Sequence, residues 1–530
     1  MHIRRATFLV IALPFLAAAV AAYIQWATVG LPPVPASVQH PGAGNPQGFP
    51  LWIGTTHYIN LIFLILLIRS GMQILLDHPR LYWNVGCTPG TEWVRFTPVV
   101  MPTGTAKDDA RYLSPLIGLP GGKHTLGMSR HWHFVSVLFW VGNGAVYIVL
   151  LFATGQWRRL VPVSWQIVPD AWAIFVHYVT FHMPAEPSTF YHYNALQQLS
   201  YFAVLFILAP LSILTGPSMS PALVNRFTWY PKLPGNRQIG RSLHFLAMCG
   251  FIAFIIAHVF MVAITGFASN MNHIVVGKDN ESLLGVYLGV VGLVVLLAVN
   301  VFANWASWKR SRAVQHFSES ILNPIFSLLL DRYASRTEYT PKDISPYFWL
   351  NGKPPVSGNW QALAGDEFRN YRLRIFGLVE NPLDLSLADI KAMEKKTQIT
   401  LHNCIQGWSG IAQWGGLQMA ELMKRAKVKP QARVAVFYSF GEGGEGGQYY
   451  DSHQIADLWH PQALLAYEMN FKPLSIPHGA PLRLRAENEL GFKMVKWIQA
   501  IEFVENVKPI YKGEGGYNAD NEFFGSMANI

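Results

Sequence analysis

Six apolar stretches, each long enough or nearly long enough to cross a bilayer as a helix, crowd into the first 305 residues, and none follows. They run approximately over Ala6–Trp26, Trp52–Leu76, Trp132–Thr154, Ala195–Gly216, Leu243–Gly266 and Leu283–Trp305. A chain divided in this way folds in two solvents. Helices that close their own hydrogen bonds in lipid come first, and a domain that hides its core from water comes after. With 51% hydrophobic and 14% charged residues in 530, composition fits a part-membrane, part-soluble chain.

The first stretch follows Arg4 and Arg5. Its unbroken apolar length and the lack of a clear small-residue cleavage site favour an uncleaved anchor over a signal peptide. After Trp305, Lys309, Arg310 and Arg312 form a basic stop. Ala313–Tyr333 then reads as an amphipathic connector lying on the surface, with Ile321, Ile325, Leu328 and Leu329 apolar. From Tyr339 onward, β-rich runs at Tyr371–Val379, Ala432–Phe440 and Trp497–Val504 alternate with Gly/Pro turns, and a helix is expected near Leu417–Ala426. The expected architecture is an all-α transmembrane bundle followed by a mainly β (α+β) soluble domain. Its segments are an anchor and loop at 1–50, the bundle at 51–305, the connector at 306–338 and the soluble domain at 339–530.

The net charge of +10 does not point to nucleic acid, because the basic residues form no patch. Loop Asp77–Arg130 carries six of them and loop Pro217–Arg241 four. The opposite loops carry none, two (Arg158 and Arg159) and one (Lys278). The positive-inside rule therefore places the N-terminus, both basic loops and the soluble domain on the cytoplasmic side of a bacterial inner membrane. A competing reading takes Arg4-Arg5 as a degenerate twin-arginine signal and puts the soluble domain in the periplasm.

His244 and His258 lie fourteen residues apart in the fifth stretch, so they share a helix face about 21 Å apart along the axis. One imidazole then sits near each membrane surface. Because helices alternate direction, His57 meets the level of His258, and His131 or His133 meets the level of His244. Two imidazoles on one iron make a low-spin electron-transfer haem, so two such sites are expected: His57 with His258, and His133 with His244. His133 is preferred over His131 because Arg130 precedes it by three residues, as Arg241 precedes His244. Those arginines either meet haem propionates or simply stop their helices at the interface. His177, His182 and His192 are expected at the interface, with a quinone-pocket lining as the alternative for one of them.

This pattern resembles a known family. HisTyrIleAsn at 57–60, ArgHisTrpHisPhe at 130–134, TrpArgArgLeuValPro at 157–162, GlnGlnLeuSerTyr at 197–201 and IleLeuThrGly at 213–216 look like the di-haem cytochrome b subunits of formate dehydrogenases, nickel–iron hydrogenases and thiosulfate reductases. The resemblance covers roughly residues 50–305 and implies two haem b groups and quinone or quinol as membrane partner. The extra first helix departs from that family.

Three cysteines, Cys87, Cys249 and Cys404, share no metal-type spacing and suggest no disulfide framework. Cys404, in ThrLeuHisAsnCysIleGlnGlyTrpSer, reads as an inert core thiol, a nucleophile or a single thiolate ligand to a soft metal. LeuLeuAlaTyrGluMetAsn at 464–470, HisGlyAlaProLeuArg at 478–483, GlyPheLysMetValLysTrpIle at 491–498 and AsnGlyLysProPro at 351–355 resemble the molybdenum-cofactor domain of the sulfite oxidase superfamily. The resemblance implies a molybdopterin-dependent oxidoreductase in which Cys404 ligates molybdenum. It implies further that Asn351, His478 and Arg483 hold the pterin and its phosphate, with Lys493, Met494, Val495 and Lys496 around the same anion. Ser439 would line the cofactor and Tyr467 would face the substrate. IleGlnGlyTrpSer after Cys404 lacks the arginine-containing stretch of eukaryotic sulfite oxidases, which weakens sulfite as substrate. It is more similar to bacterial members, including methionine-sulfoxide reductases. The Gly-rich run 441–447 is expected to form a pocket rim.

Joined, the two halves imply a membrane-bound enzyme that couples oxygen-atom transfer on a small or protein-borne substrate to electron exchange with the quinone pool. The rival is a haem-carrying anchor whose soluble domain docks a redox partner without molybdenum catalysis.

Overall fold

The computed structural model describes residues 2–3, 5–35, 48–102, 104–123, 125–184, 188–330, 333, 337–442, 447–511 and 516. Arg4 of the candidate export signal and residues 443–446 of the candidate pocket rim lie outside the described residues. Among the described residues six helices are long and apolar enough to cross a membrane, and the chain is a multi-pass membrane protein. These first to sixth spans are Arg5–Val29, Leu51–Asp77, Leu126–Ala153, Ala195–Ser218, Arg237–Ile264 and Leu284–Lys309.

The third and fifth spans start at Leu126 and Arg237, well before the apolar text at Trp132 and Leu243. The added turns carry Arg130, Arg237 and Arg241, which hydropathy excludes from a span. Arg237 and Arg241 meet Asn403 and Gly407 of the soluble domain, so their charge is tolerated at the start of the fifth span. Asn236 fixes the fifth start, its side-chain oxygen accepting from the N–H groups of Gln238 (2.8 Å) and Ile239 (3.0 Å). The fourth span contains a π turn at Val204–Leu208, just before Pro210, whose missing N–H interrupts the regular ladder. Polar clasps join the second and third spans: Trp140 Nε1 donates to Asn60 Oδ1 at 2.7 Å and Asn143 Nδ2 to the Thr56 carbonyl at 3.0 Å.

The connector is a helix over Ser311–Leu330. Gln315, Ser318, Leu322 and Leu330 are buried, and Leu322 packs on Val135 of the third span. Leu328 and Leu329, expected on the apolar contact face, point outward. The helix therefore clamps the third span with a partly polar face and leaves leucines at the membrane surface.

The soluble domain comprises β1 (Arg372–Gly377), β2 (Leu383–Ser386), β3 (Lys395–Asn403), β4 (Ser409–Gln418), β5 (Val434–Glu442), β6 (Gln448–Gln454), β7 (Leu464–Met469), β8 (Lys472–Pro473), β9 (Arg483–Arg485) and β10 (Ile498–Val504). One sheet has the order β2-β1-β10-β5-β6; the other runs β8-β7-β4-β3 with β9 also on β7. The three β-rich runs of the sequence are β1, β10 and β5, direct neighbours in the first sheet. Trp349, Trp408 and Trp414 are fully buried where the second sheet meets the N-terminal stretch of the domain.

This domain sits on the two basic loops. Trp349 Nε1 donates to the Cys87 carbonyl at 2.8 Å, and Gln406 Nε2 to the Asp77 carbonyl at 3.3 Å. Buried Arg80 braces the loop beneath, pairing with Asp109 and Glu92 at 2.8 Å each.

Candidate functional site

Cys404 occupies the turn between β3 and β4. Its N–H donates to the Trp408 carbonyl, and the Gly407 N–H to the Cys404 carbonyl, both at 3.1 Å. Gly407 has φ +107°, a conformation that glycine alone takes without strain. The turn places the Cys404 sulfur on a cleft of about 190 Å³. Asn351, Ser439, His478, Arg483, Met494, Val495 and Lys496 line the same cleft. Segments more than a hundred residues apart thus converge around one sulfur.

Cations outnumber acids in the lining of this cleft: Lys107, Lys353, Arg483 and Lys496 against Asp77 and Glu442. Arg483 is buried, its Nε has no partner, and Nη1 donates to the His478 carbonyl at 3.0 Å. The Lys496 ammonium donates to the carbonyls of Asn351 and Pro477 and lies 4.1 Å from the centre of the Trp497 ring. Neither cation has an ion pair among the described residues. Burial, then the neighbouring cation, pushes both well below their usual ranges, Arg483 against Arg485 and Lys496 against Arg483. Burial, then Arg483 and Lys496, lowers His478 to about 3. Buried cations without counter-ions are costly, and an anionic group bound in the cleft relieves them. A pterin phosphate and dithiolene beside a single thiol meet that demand, so the donor set fits molybdopterin.

Two expected residues lie elsewhere. Lys493 is held with Asp451 in a buried ion pair and does not line the cleft. The Tyr467 ring lies 5.9 Å from the Lys391 ammonium, also outside the cleft lining. Sequence reasoning missed His402, Gln406, Trp349, Trp408 and Trp497, all of which line it. His402 carried a signal: it precedes Cys404 by two residues, the spacing that puts strand side chains on one face. Arg485 Nη1 lies 2.9 Å from its Nδ1. A Cβ at position 491 would fall 2.2 Å from its Nε2, so only glycine fits there.

In the bundle, the His57 and His258 rings face each other with centroids 6.3 Å apart, and the His133 and His244 rings at 6.4 Å. Two imidazoles on opposite sides of one metal, with metal–nitrogen bonds of about 2 Å, hold their centroids about 6 Å apart. Both pairs therefore fit a bis-histidine haem. His133 Nδ1 lies 3.0 Å from Ser70 Oγ and His244 Nδ1 3.0 Å from Thr215 Oγ1, leaving each Nε2 for a metal. His131 Nδ1 is instead 2.9 Å from Ser318 Oγ of the connector helix. Around His57 and His258 the neighbours are aromatic: Phe254 stacks on His258 at 5.3 Å and Tyr201 meets it edge-on at 5.8 Å. Arg130 lies over Phe134 with Nε unpartnered, one turn from His133. Arg241 donates to the carbonyls of Arg80 (2.7 Å) and His78 (2.6 Å). Buried His177 contacts two backbone carbonyls, those of Pro32 and His182, so it is structural.

Residues 48–277 match the family Prokaryotic cytochrome b561, and residues 361–512 match the family Oxidoreductase molybdopterin binding domain. The chain joins a membrane cytochrome b to a sulfite-oxidase-type molybdopterin oxidoreductase. Among curated relatives, the putative protein-methionine-sulfoxide reductase subunit YedZ1 of Azospira oryzae is 32% identical over 154 residues, covering 29% of this chain and 54% of that protein. The protein-methionine-sulfoxide reductase catalytic subunit MsrP of Campylobacter jejuni is 29% identical over 148 residues, covering 26% and 50%. Sulfite oxidase of Arabidopsis thaliana is 29% identical over 169 residues, covering 26% and 43%. The chain spans about half the length of these relatives.

Proposed function

We propose that this enzyme draws electrons from membrane quinol, passes them through two haem b groups and uses them at molybdenum to remove oxygen from a sulfoxide. When bound, the molybdenum–pterin group supplies two-electron oxygen-atom exchange and the haem irons supply single-electron transfer. Sulfoxide reduction consumes two electrons and two protons and leaves a sulfide and water. The reductive direction and the sulfoxide are favoured by the protein-methionine-sulfoxide reductases among the relatives.

The residues divide the work. Cys404 anchors the metal through its sulfur. Arg483, Lys496, His478 and Asn351 hold the anionic cofactor, with Ser439, Met494 and Val495 along its bed. Trp349 and Trp408 keep water from the thiolate. His57 with His258, and His133 with His244, hold the haems, while Ser70 and Thr215 fix the ring orientation of the second pair. Tyr467 and Lys493 are proposed as indirect supports of the cleft. Arg130 and Arg241 remain candidates to meet propionates. For the cellular side, the soluble domain packs on the basic loops, which by the positive-inside rule favours the cytoplasm.

One observation carries this reading. The Cys404 turn touches the start of the helix that bears both His244 and His258, so the metal cleft and the histidine pairs belong to one packed path. Purified protein in lipid, given quinol and methionine sulfoxide, is expected to oxidise the quinol and form sulfide. Quinone reduction with sulfite and no sulfoxide turnover would reverse the direction. Absence of molybdenum from active, haem-loaded protein would leave a docking module.

A further inference from the structure

The helix that carries one histidine of each pair, His244 and His258, begins under the Cys404 turn. Arg237, its first residue, donates from Nη1 to Asn403 Oδ1 at 3.3 Å and from Nε to the Met219 carbonyl at 3.1 Å. Gln238 Nε2 donates to the Gly407 carbonyl at 3.2 Å. Arg241, one turn on, packs its guanidinium so closely on Gly407 that a Cβ there would lie 3.4 Å from Arg241 Cζ. The membrane helix thus grips the residue before Cys404 and the glycine that shapes the turn after it.

Charge points the same way. Residues 403–408, AsnCysIleGlnGlyTrp, contain no cation of their own. A thiolate with a dithiolene is strongly anionic, and Arg483 and Lys496 are among the cations that line the cleft. Arg237 lines the cavity on the opposite side of the turn, together with Ser409, Gly410 and Ile411. Positive charge close to the metal stabilises whichever oxidation state carries the extra electron. The N-terminus of a 28-residue helix adds its dipole in the same sense.

We infer that Arg237 and Arg241 are positioning residues of the molybdenum site, so that the membrane domain holds the Cys404 turn and raises the reduction potential of the metal. The inference rests on the molybdenum reading of Cys404. Arg237 touches neither substrate nor the reacting atoms; it acts through Asn403 and through space. Its consequence is that the soluble domain's metal is tuned only when the fifth span is in place beneath it.

The test is a redox titration of the full-length, metal-loaded protein, followed by the Mo(V) electron paramagnetic resonance signal, for wild type, Arg237→Gln, Arg237→Lys and Arg241→Gln. Arg237→Gln is expected to shift the Mo(V)/Mo(IV) equilibrium at least tenfold toward the oxidised form, about 59 mV downward for a one-electron couple. Arg237→Lys keeps the charge and is expected to stay near wild type, which a merely structural role does not predict. Arg241→Gln moves in the same direction and by less, and it carries the test if Arg237→Gln does not accumulate. Loss of molybdenum from Arg237→Gln with both haem bands intact also supports the grip on the turn. Unchanged potentials in both glutamine variants overturn the inference. Wild-type protein without molybdenum would instead sink the reading of Cys404.

Discussion

In the bundle, each candidate ligand is one imidazole on a long helix, its direction set by the helix and, for His133 and His244, by one hydroxyl each, Ser70 and Thr215. In the soluble domain, the cleft gathers side chains from strand ends and turns spread over residues 348–497 around a sulfur on a five-residue turn. The bundle presents its histidines as facing neutral pairs, whereas the cleft leaves Arg483 and Lys496 without counter-ions among the described residues. The contrast shows two ways of preparing for a cofactor. A neutral macrocycle core between spans needs two lone pairs facing each other at the right separation. A multiply charged pterin needs stored positive charge, and storing it costs stability until the ligand arrives.

The largest effect expected separates the two regions outright. Cys404→Ser should reduce substrate turnover to background while both haem absorption bands persist; loss of the haem bands would mean that the regions do not assemble independently. Next come the histidines. His258→Ala should remove one haem and His244→Ala or His133→Ala the other, with iron per chain falling from two to one. His131→Ala should keep both, and a haem lost there would exchange the roles of His131 and His133.

A smaller effect concerns the frame of the cleft. Asp451→Asn leaves Lys493 buried without its partner and should cost about 3–5 kcal/mol in unfolding of the soluble domain. Chemical denaturation checks this, and an unchanged midpoint would place the pair outside the stabilising frame. The smallest effect is pH dependence. His478 takes its proton only near pH 3 in the folded cleft but near 6.5 when unfolded. Its contribution to the stability of cofactor-free protein is therefore present above about pH 6.5 and is lost progressively as pH falls toward 3. His478→Gln should flatten that slope relative to wild type.

Much of this was legible in the text of the chain, and unevenly so. Continuous apolarity marks the spans because lipid tolerates nothing else, yet it misses the first turns of the third and fifth, and at the fifth a covering domain makes Arg237 admissible. The fourteen-residue spacing of His244 and His258 is a helix property and survives unchanged into the fold. His133 and His131 differ by two residues, so helical geometry alone turns them to different neighbours, His244 and Ser318. The cleft is less readable. Cys404 and its companions emerge through resemblance, not periodicity, since the turns that gather them have none. The strand β7 shifts register between Ala466 and Glu468, and such a bulge re-aims a side chain, which accounts for Tyr467 lying under Lys391. Lys493 finds Asp451 forty-two residues away, a pairing that no local pattern encodes.

The central claim is that electrons held by the histidine-bound haems leave through the metal on Cys404. It is tested most directly by anaerobic mixing of quinol-reduced protein with methionine sulfoxide while the Soret band is followed. Wild type should return to the oxidised spectrum with sulfide formed in step, and Cys404→Ser should stay reduced. Equal reoxidation of the two proteins, or none with any sulfoxide or N-oxide, would contradict the account.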